Sequence, residues 1–316
     1  MKKTDLLSLD SLSLQEFDEN SELIPLMTPE DEEEINKEKL PETLPILSLR
    51  NTVLFPGVVI PITAGRDKSI KLINDANKGS KVIGVVSQKD ESVENPTIKD
   101  IHETGTVARI LRVLKMPDGN VTVIIQGKKR FKIAEVITEE PYMNATIREV
   151  PEAKPAEKNK EFSAIIDSIK DLALQIIKDS PNIPSEASFA IKNIESSSFL
   201  INFVSSNMNL SVAEKQSLLE NNDLKERALE TLKYMNVELQ KLELRNDIQS
   251  KVQSDLNQQQ REYFLHQQMK TIQEELGGVS YDEEIDEMKA RAKEKKWNKK
   301  VDEHFNKEIY KMQRMN

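Results

Sequence analysis

Apolar positions recur with two different periods along this chain, and the change of period divides it. From Leu44 to Val150 the apolar residues alternate or run in short blocks. Leu44-Pro-Ile-Leu-Ser-Leu, Val58-Val-Ile-Pro-Ile-Thr, Val82-Ile-Gly-Val-Val, Thr106 to Lys115, Val121-Thr-Val-Ile-Ile, Phe131 to Ile137 and Ala145 to Val150 each predict a strand. Pro61 assigns the second of these to a sheet edge or a bulge, because proline cannot donate to a ladder. Phe55-Pro-Gly and Pro117-Asp-Gly-Asn predict turns, and Arg66 to Asn77, ending at Gly79, predicts one helix. Several short strands with a single helix predict a small, partly closed barrel.

Beyond Val150 the period becomes helical. Pro151 to Pro155 is a linker. Phe162, Ile165, Ile166, Ile169, Leu172, Ala173, Ile176 and Ile177 then recur at three and four, and Pro181 and Pro184 end that helix. Shorter helices follow over Phe189 to Ile194 and Phe199 to Asn207, and Ser211-Val-Ala-Glu214 is a capping box that opens another. Asp223 and Glu226 form a second start signal. The chain then runs to Leu276 without glycine or proline, until Gly277-Gly278. An unbroken helix of that length would extend roughly 80 Å. Its first third has a broad apolar face, Leu224, Ala228, Leu229, Leu232, Met235, Leu239 and Leu242. Its middle keeps only a thin stripe through Ile248, Val252, Leu256 and Tyr263, which predicts pairing with another helix, as between subunits, or a crossing through solvent. Ser280-Tyr-Asp-Glu283 and the run Val301, Phe305, Ile309, Met312 predict two further helices.

Glycine usage agrees with this division. Seven of the 9 glycines lie between Gly57 and Gly127, where turns need them, and none lies between Lys128 and Leu276. The predicted organisation is therefore α+β: an acidic tail over 1–43, a β-domain over 44–150, a helical bundle over 151–222, a long helix over 223–276 and a helical lead-in over 277–316.

Charge changes the picture at one end only. The chain of 316 residues carries a net charge of −9, with 45 Lys+Arg against 54 Asp+Glu. Residues 1–43 hold the whole excess, thirteen acids against four lysines, including the block Glu30 to Glu34. Such a block repels itself and buries little, so the tail is expected to be disordered. Its Leu6, Leu7, Leu9, Leu12 and Leu14 could form a short binding helix. Asp5 and Asp10 interrupt what would otherwise resemble a signal peptide, and no apolar run reaches membrane-spanning length.

The search for chemistry is negative. There is no cysteine, which excludes disulfides and thiolate metal sites and suits a reducing cytosol. His102, His266 and His304 are isolated, and no metal-binding or nucleophile–base arrangement occurs, so neither catalytic nor metal residues are assigned. Gly65-Arg-Asp-Lys-Ser lacks the spacing of a phosphate-binding loop. Two binding features remain. Lys128-Lys129-Arg130-Phe131-Lys132 is either a cationic patch for a nucleic-acid backbone or the solvent face of a strand whose Phe131 points inward. Leu54, Phe55, Pro56, Val58 and Val59 sit at a turn and are either an exposed patch for unfolded chains or a plug at one end of the barrel.

Two stretches resemble one family. Leu44 to Ser69, with Gly105-Thr-Val-Ala-Arg-Ile and Gly127-Lys-Lys-Arg-Phe, is similar to the Lon N-terminal domain. Gln260-Arg-Glu-Tyr-Phe-Leu-His-Gln-Gln-Met-Lys-Thr-Ile-Gln-Glu-Glu-Leu-Gly resembles that family's long helix. The resemblance implies a PUA-like β pseudo-barrel and an all-α domain with one very long helix, leading to an ATPase module. It implies a parent enzyme that is a cytoplasmic, homohexameric, ATP-dependent serine protease using ATP and Mg. The N-terminal region would capture misfolded, unfolded or degron-bearing proteins and help organise the ring. No position here matches the family's nucleotide or protease motifs, so this chain alone is expected to be an inactive N-terminal piece without a cofactor of its own. A nucleic-acid-binding PUA-like module and a standalone adaptor are the alternatives.

Overall fold

The computed structural model describes residues 27–316 except 118, 157–158, 181–182, 185–186, 276–280, 296 and 315–316. The leucines of the first 26 residues, Pro181, the Gly277-Gly278 stop and the Ser280 cap lie outside the described residues. The chain forms two compact units, one ending at Glu243 and one beginning at Leu244.

In the first unit, six strands form one sheet: β1 (Thr43–Leu49), β2 (Val59–Ala64), β3 (Val82–Ser87), β4 (Thr104–Lys115), β5 (Val121–Thr138) and β6 (Asn144–Glu149). Their order is β2-β5-β4-β3-β1-β6, and β6 also pairs with β5, which closes a ring of five strands. Closure depends on the length of β5, 18 residues. The first part of β5 pairs with β2 (Ile62 opposite Val123), and the last part pairs with β6 (Ile133 opposite Ile147). β2 pairs with β5 alone, so Pro61 sits on an edge strand as its chemistry requires. β1 and β3 are parallel, and α2 (Asp67–Lys78) lies in the crossover that links them.

Alternation along β1 feeds two cores. Leu47 and Leu49 join Leu72, Ile73, Ile83, Val123 and Ile125, whereas Leu44 and Ile46 join Val107, Phe131, Ala145 and Ile147. A third core joins Val53, Phe55 and Val58 to the helical part. That part comprises α3 (Lys160–Asp179), α4 (Ala187–Asn193), α5 (Ser197–Asn207), α6 (Val212–Glu220) and α7 (Leu224–Glu275). The capping box expected at Ser211 and Glu214 opens α6, and the Asp223 carboxylate accepts from the backbone of Lys225 and Glu226 at the start of α7. The β-domain and the helical bundle thus share a core and belong to one unit, which also takes in α7 as far as Glu243. The broad face of α7 is buried at Leu224, Ala228, Met235, Leu239 and Leu242. Leu229 points outward, and Arg227 and Thr231 are buried in the same turns.

The tail needs correction. Residues Pro29–Lys37 form α1, opened by a complete capping box between Thr28 and Asp31, with Pro29 at its start. The acidic block Glu30 to Glu34 is therefore helical. Three carboxylates fall in the first turn, where the exposed backbone amides and the helix dipole favour negative charge.

In the second unit, the remainder of α7 is followed by α8 (Tyr281–Glu294) and α9 (Lys299–Arg314). Ile285 and Ile309 are buried there, and Trp297 meets Phe305 edge to face at 5.0 Å between ring centroids.

Candidate functional site

The turn expected to expose an apolar patch lies inside the molecule. Leu54, Phe55 and Val58 are buried, while Pro56 and Val59 are half-buried. The backbone of the turn is held from several sides. Gly57 N–H donates to the Gly127 carbonyl at 2.9 Å, and Gly127 N–H donates to the Val58 carbonyl at 2.9 Å. The Thr106 hydroxyl donates to the Leu54 carbonyl at 2.6 Å, and the Asn202 amide donates to the Pro56 carbonyl at 3.1 Å. Gly57 has φ +80°, and a Cβ there would meet the Phe199 ring at 2.7 Å. The exposed-patch reading is therefore corrected. Burial of aromatic and aliphatic area between the barrel and α5 outweighs any exposure of this turn.

The basic run is consumed in the same way. Lys128 pairs with Glu38 (2.9 Å), Lys129 with Glu149 (3.0 Å) and Lys132 with Glu103 (3.1 Å). Arg130 is buried and donates to the carbonyls of Leu219 (3.1 Å) and Asn221 (2.8 Å) and to the Asn222 side chain (3.2 Å). The cationic-patch reading is corrected, and the strand-face reading holds in part: Phe131 points into the core and Lys132 stays at the surface, but Lys129 and Arg130 are buried rather than solvated. The centre of the run fastens β5 to the end of α6. Burial, helped by the like charge of Arg227, draws the Arg130 guanidinium down to about 10, while Glu152 acts in the opposite direction.

Glu152 completes that centre. It pairs with the fully buried Arg227, accepts from the Ser198 hydroxyl at 2.8 Å and lies 3.9 Å from Arg130. Burial pushes its carboxyl up. Arg227, the Ser198 hydroxyl and Arg130 more than offset that push, so the carboxyl lies below the usual glutamate range.

A cleft of about 220 Å³ opens between β1, α2 and the loop before β6, lined by Ile46, Arg66, Lys68, Leu72, Tyr142 and Met143 among others. Arg66 donates to Ser48 (3.2 Å), Gln88 (2.7 Å) and the Val93 carbonyl (3.2 Å), and Lys68 pairs with Glu140 (2.6 Å). The cations next to Gly65 are thus directed at the protein itself, and the segment does not fit a nucleotide phosphate. Among the described residues no cluster of His, Cys, Asp or Glu could hold a metal ion, and no helix is long and apolar enough to cross a membrane.

Exposed apolar side chains gather elsewhere. On the β4–β5 hairpin Leu111, Leu114 and Met116 are 39–46% exposed, next to the exposed Arg112 and Lys115. Sequence reasoning treated this stretch as one alternating strand. The available signal was Val113-Leu114, two apolar residues in succession near the irregularity between Ile110 and Arg112. On α7 every described residue from Asp247 to Ile272 is exposed, including Ile248, Val252, Leu256 and Tyr263. The apolar stripe is thus exposed in the single chain.

Comparison with known proteins places this architecture. The family described as the ATP-dependent protease La (LON) substrate-binding domain matches residues 43–237. A Lon protease of Flavobacterium johnsoniae is 74% identical over 100% of this chain and 39% of its own length. A Lon protease of Cytophaga hutchinsonii is 49% identical over 93% of the chain and 36% of its own length. The chain therefore spans about two-fifths of these relatives. The solved N-terminal domain of a Mycobacterium avium complex Lon protease covers 61% of this chain and 98% of its own, with a TM-score of 0.51 and 24% identity, and so shares the fold. The chain belongs to the Lon protease family and carries its N-terminal substrate-binding domain.

Proposed function

We propose that this chain captures unfolded or degron-bearing polypeptides for a cytoplasmic ATP-dependent serine protease of the Lon type. ATP and Mg would act in the ATPase module of the whole enzyme, as membership of the Lon family implies. The observation that carries the capture reading is the β4–β5 hairpin of a substrate-binding domain: Leu111, Leu114 and Met116 stand in water beside Arg112 and Lys115. Flexible aliphatic and thioether side chains adapt to many apolar sequences, and the flanking cations suit segments carrying carboxylates. The thin stripe of α7 through Ile248, Val252, Leu256 and Tyr263 serves self-association into the homohexamer. The capture reading is tested with the purified chain and a denatured, fluorescently labelled model protein. The triple variant Leu111→Ser, Leu114→Ser, Met116→Ser should bind at least tenfold more weakly. Equal binding by a folded triple variant would remove the hairpin from the reading.

A further inference from the structure

The segment Met27 to Glu38 lies against the barrel like a bound ligand. It carries six carboxylates and one lysine, a net charge of −5. Its helix lies against β5. Glu32 reaches Lys154 and the Ser196 hydroxyl, and Glu38 pairs with Lys128 at 2.9 Å. Met27 packs on the third core, with its thioether over Gly57 beside Phe199. The seat is thus an apolar step at Gly57 and Phe199 flanked by two lysines. Its occupant is an acidic helix led by a methionine.

We infer that residues 27–38 are a displaceable stand-in for client polypeptide, and that their seat is a second capture site for acidic helical segments led by methionine or another flexible aliphatic residue. The inference rests on the capture reading above and adds a site distinct from the hairpin. The hold on the segment is light. Among its described side chains only Ile35 is buried, and its ion pairs each have at least one partner in solvent. Segments with few buried contacts open more readily than the core does. Being tethered, the segment competes at an effective concentration on the order of millimolar, so free clients of micromolar affinity enter only when it lifts.

The test uses the full chain and a labelled peptide of residues 24–40 as probe. The variant Glu32→Lys, Glu38→Lys turns the tethered segment against Lys154 and Lys128 and should bind the peptide at least tenfold tighter than the unaltered chain. Adding Lys128→Glu and Lys154→Glu should abolish that gain. Peptide binding no tighter than that of the unaltered chain, in a variant that melts as it does, overturns the inference. In the unaltered chain, hydrogen exchange gives an independent reading. The amides of α1 should exchange at least a hundredfold faster than those of α3, and saturating peptide should accelerate them further. Protection of α1 equal to that of α3 also overturns it. Denatured-protein binding lost only in the hairpin variant separates the two readings, because the peptide assay does not involve the hairpin.

Discussion

Arg227 on α7 and Glu152 in the linker after β6 form a charge pair inside the first unit, with the guanidinium wholly buried. The pair ties the start of the long helix to the end of the barrel. Asn221, whose carbonyl also accepts from Arg130, extends the network to β5. Removing Arg227 leaves the largely buried Glu152 carboxylate with only the Ser198 hydroxyl and the more distant Arg130 to compensate it. Arg227→Met should therefore destabilise the unit by about 3–5 kcal/mol, seen as a lower urea midpoint. The double variant Arg227→Met, Glu152→Leu should recover part of that loss, because no uncompensated carboxylate remains from the pair.

The same pair sets a pH dependence. The folded Glu152 carboxyl lies below its ordinary range, so the folded state holds its proton less tightly than the unfolded chain does. The stability it contributes is complete above the unfolded glutamate value, about 4.3, and is lost as pH falls through the folded value. Unfolding free energy should fall steeply below that point. Glu152→Gln should flatten the slope in the acid range and leave it unchanged between neutral and mildly alkaline pH. An unchanged acid slope in the variant would assign acid sensitivity to other carboxylates.

Phe55 provides a sharp contrast with a surface role. Its ring is fully buried in the third core, so Phe55→Ala should cost about 3–5 kcal/mol. A residue on an exposed patch would change stability by only about 0.5 kcal/mol either way. Gly127 tests the backbone side of the same joint. A Cβ there would lie 2.3 Å from the Phe55 carbonyl oxygen, a rigid atom, so Gly127→Ala should destabilise by about 1–3 kcal/mol despite being the smallest possible addition. Both are measured by denaturant titration, and a neutral Gly127→Ala would mean that the turn is free to move.

These residues mark where local sequence is informative and where it is not. Strand alternation, the Ser211–Glu214 box and the glycine-free run of α7 are signals between near neighbours, and each reappears in the structure. The capping box Thr28–Asp31 is equally local, but the self-repulsion expected of the acidic block hid it. The partners of the basic run were not legible. Glu38, Leu219 and Asn221 stand about ninety residues from Lys128 and Arg130 along the chain, and no local period encodes which carboxylate or carbonyl a lysine or arginine will meet. The choice between an exposed patch and a buried plug at Phe55 was not legible for the same reason, since Phe199 and Asn202 cover the turn only once the helices have docked.

The stripe on α7 yields the last prediction. Ile248, Val252 and Leu256 follow at i, i+4 and i+8. At 3.6 residues per turn they drift by about 40° per step, and Tyr263 falls back within the same sector of about 80°. A sector that narrow suits one neighbouring helix at a time, as in a coiled coil, and is too thin to dock on a globular core. All four side chains are 47–68% exposed, so they contribute little to the stability of the monomer. Ile248→Asp, Val252→Asp, Leu256→Asp should therefore leave the unfolding free energy of the first unit, from urea titration, within about 0.5 kcal/mol of its original value. The same variant should abolish any concentration-dependent increase in sedimentation coefficient seen with the unaltered chain. A large loss of stability would place the stripe against this chain's own residues. Unaltered association in the variant would assign assembly to another surface.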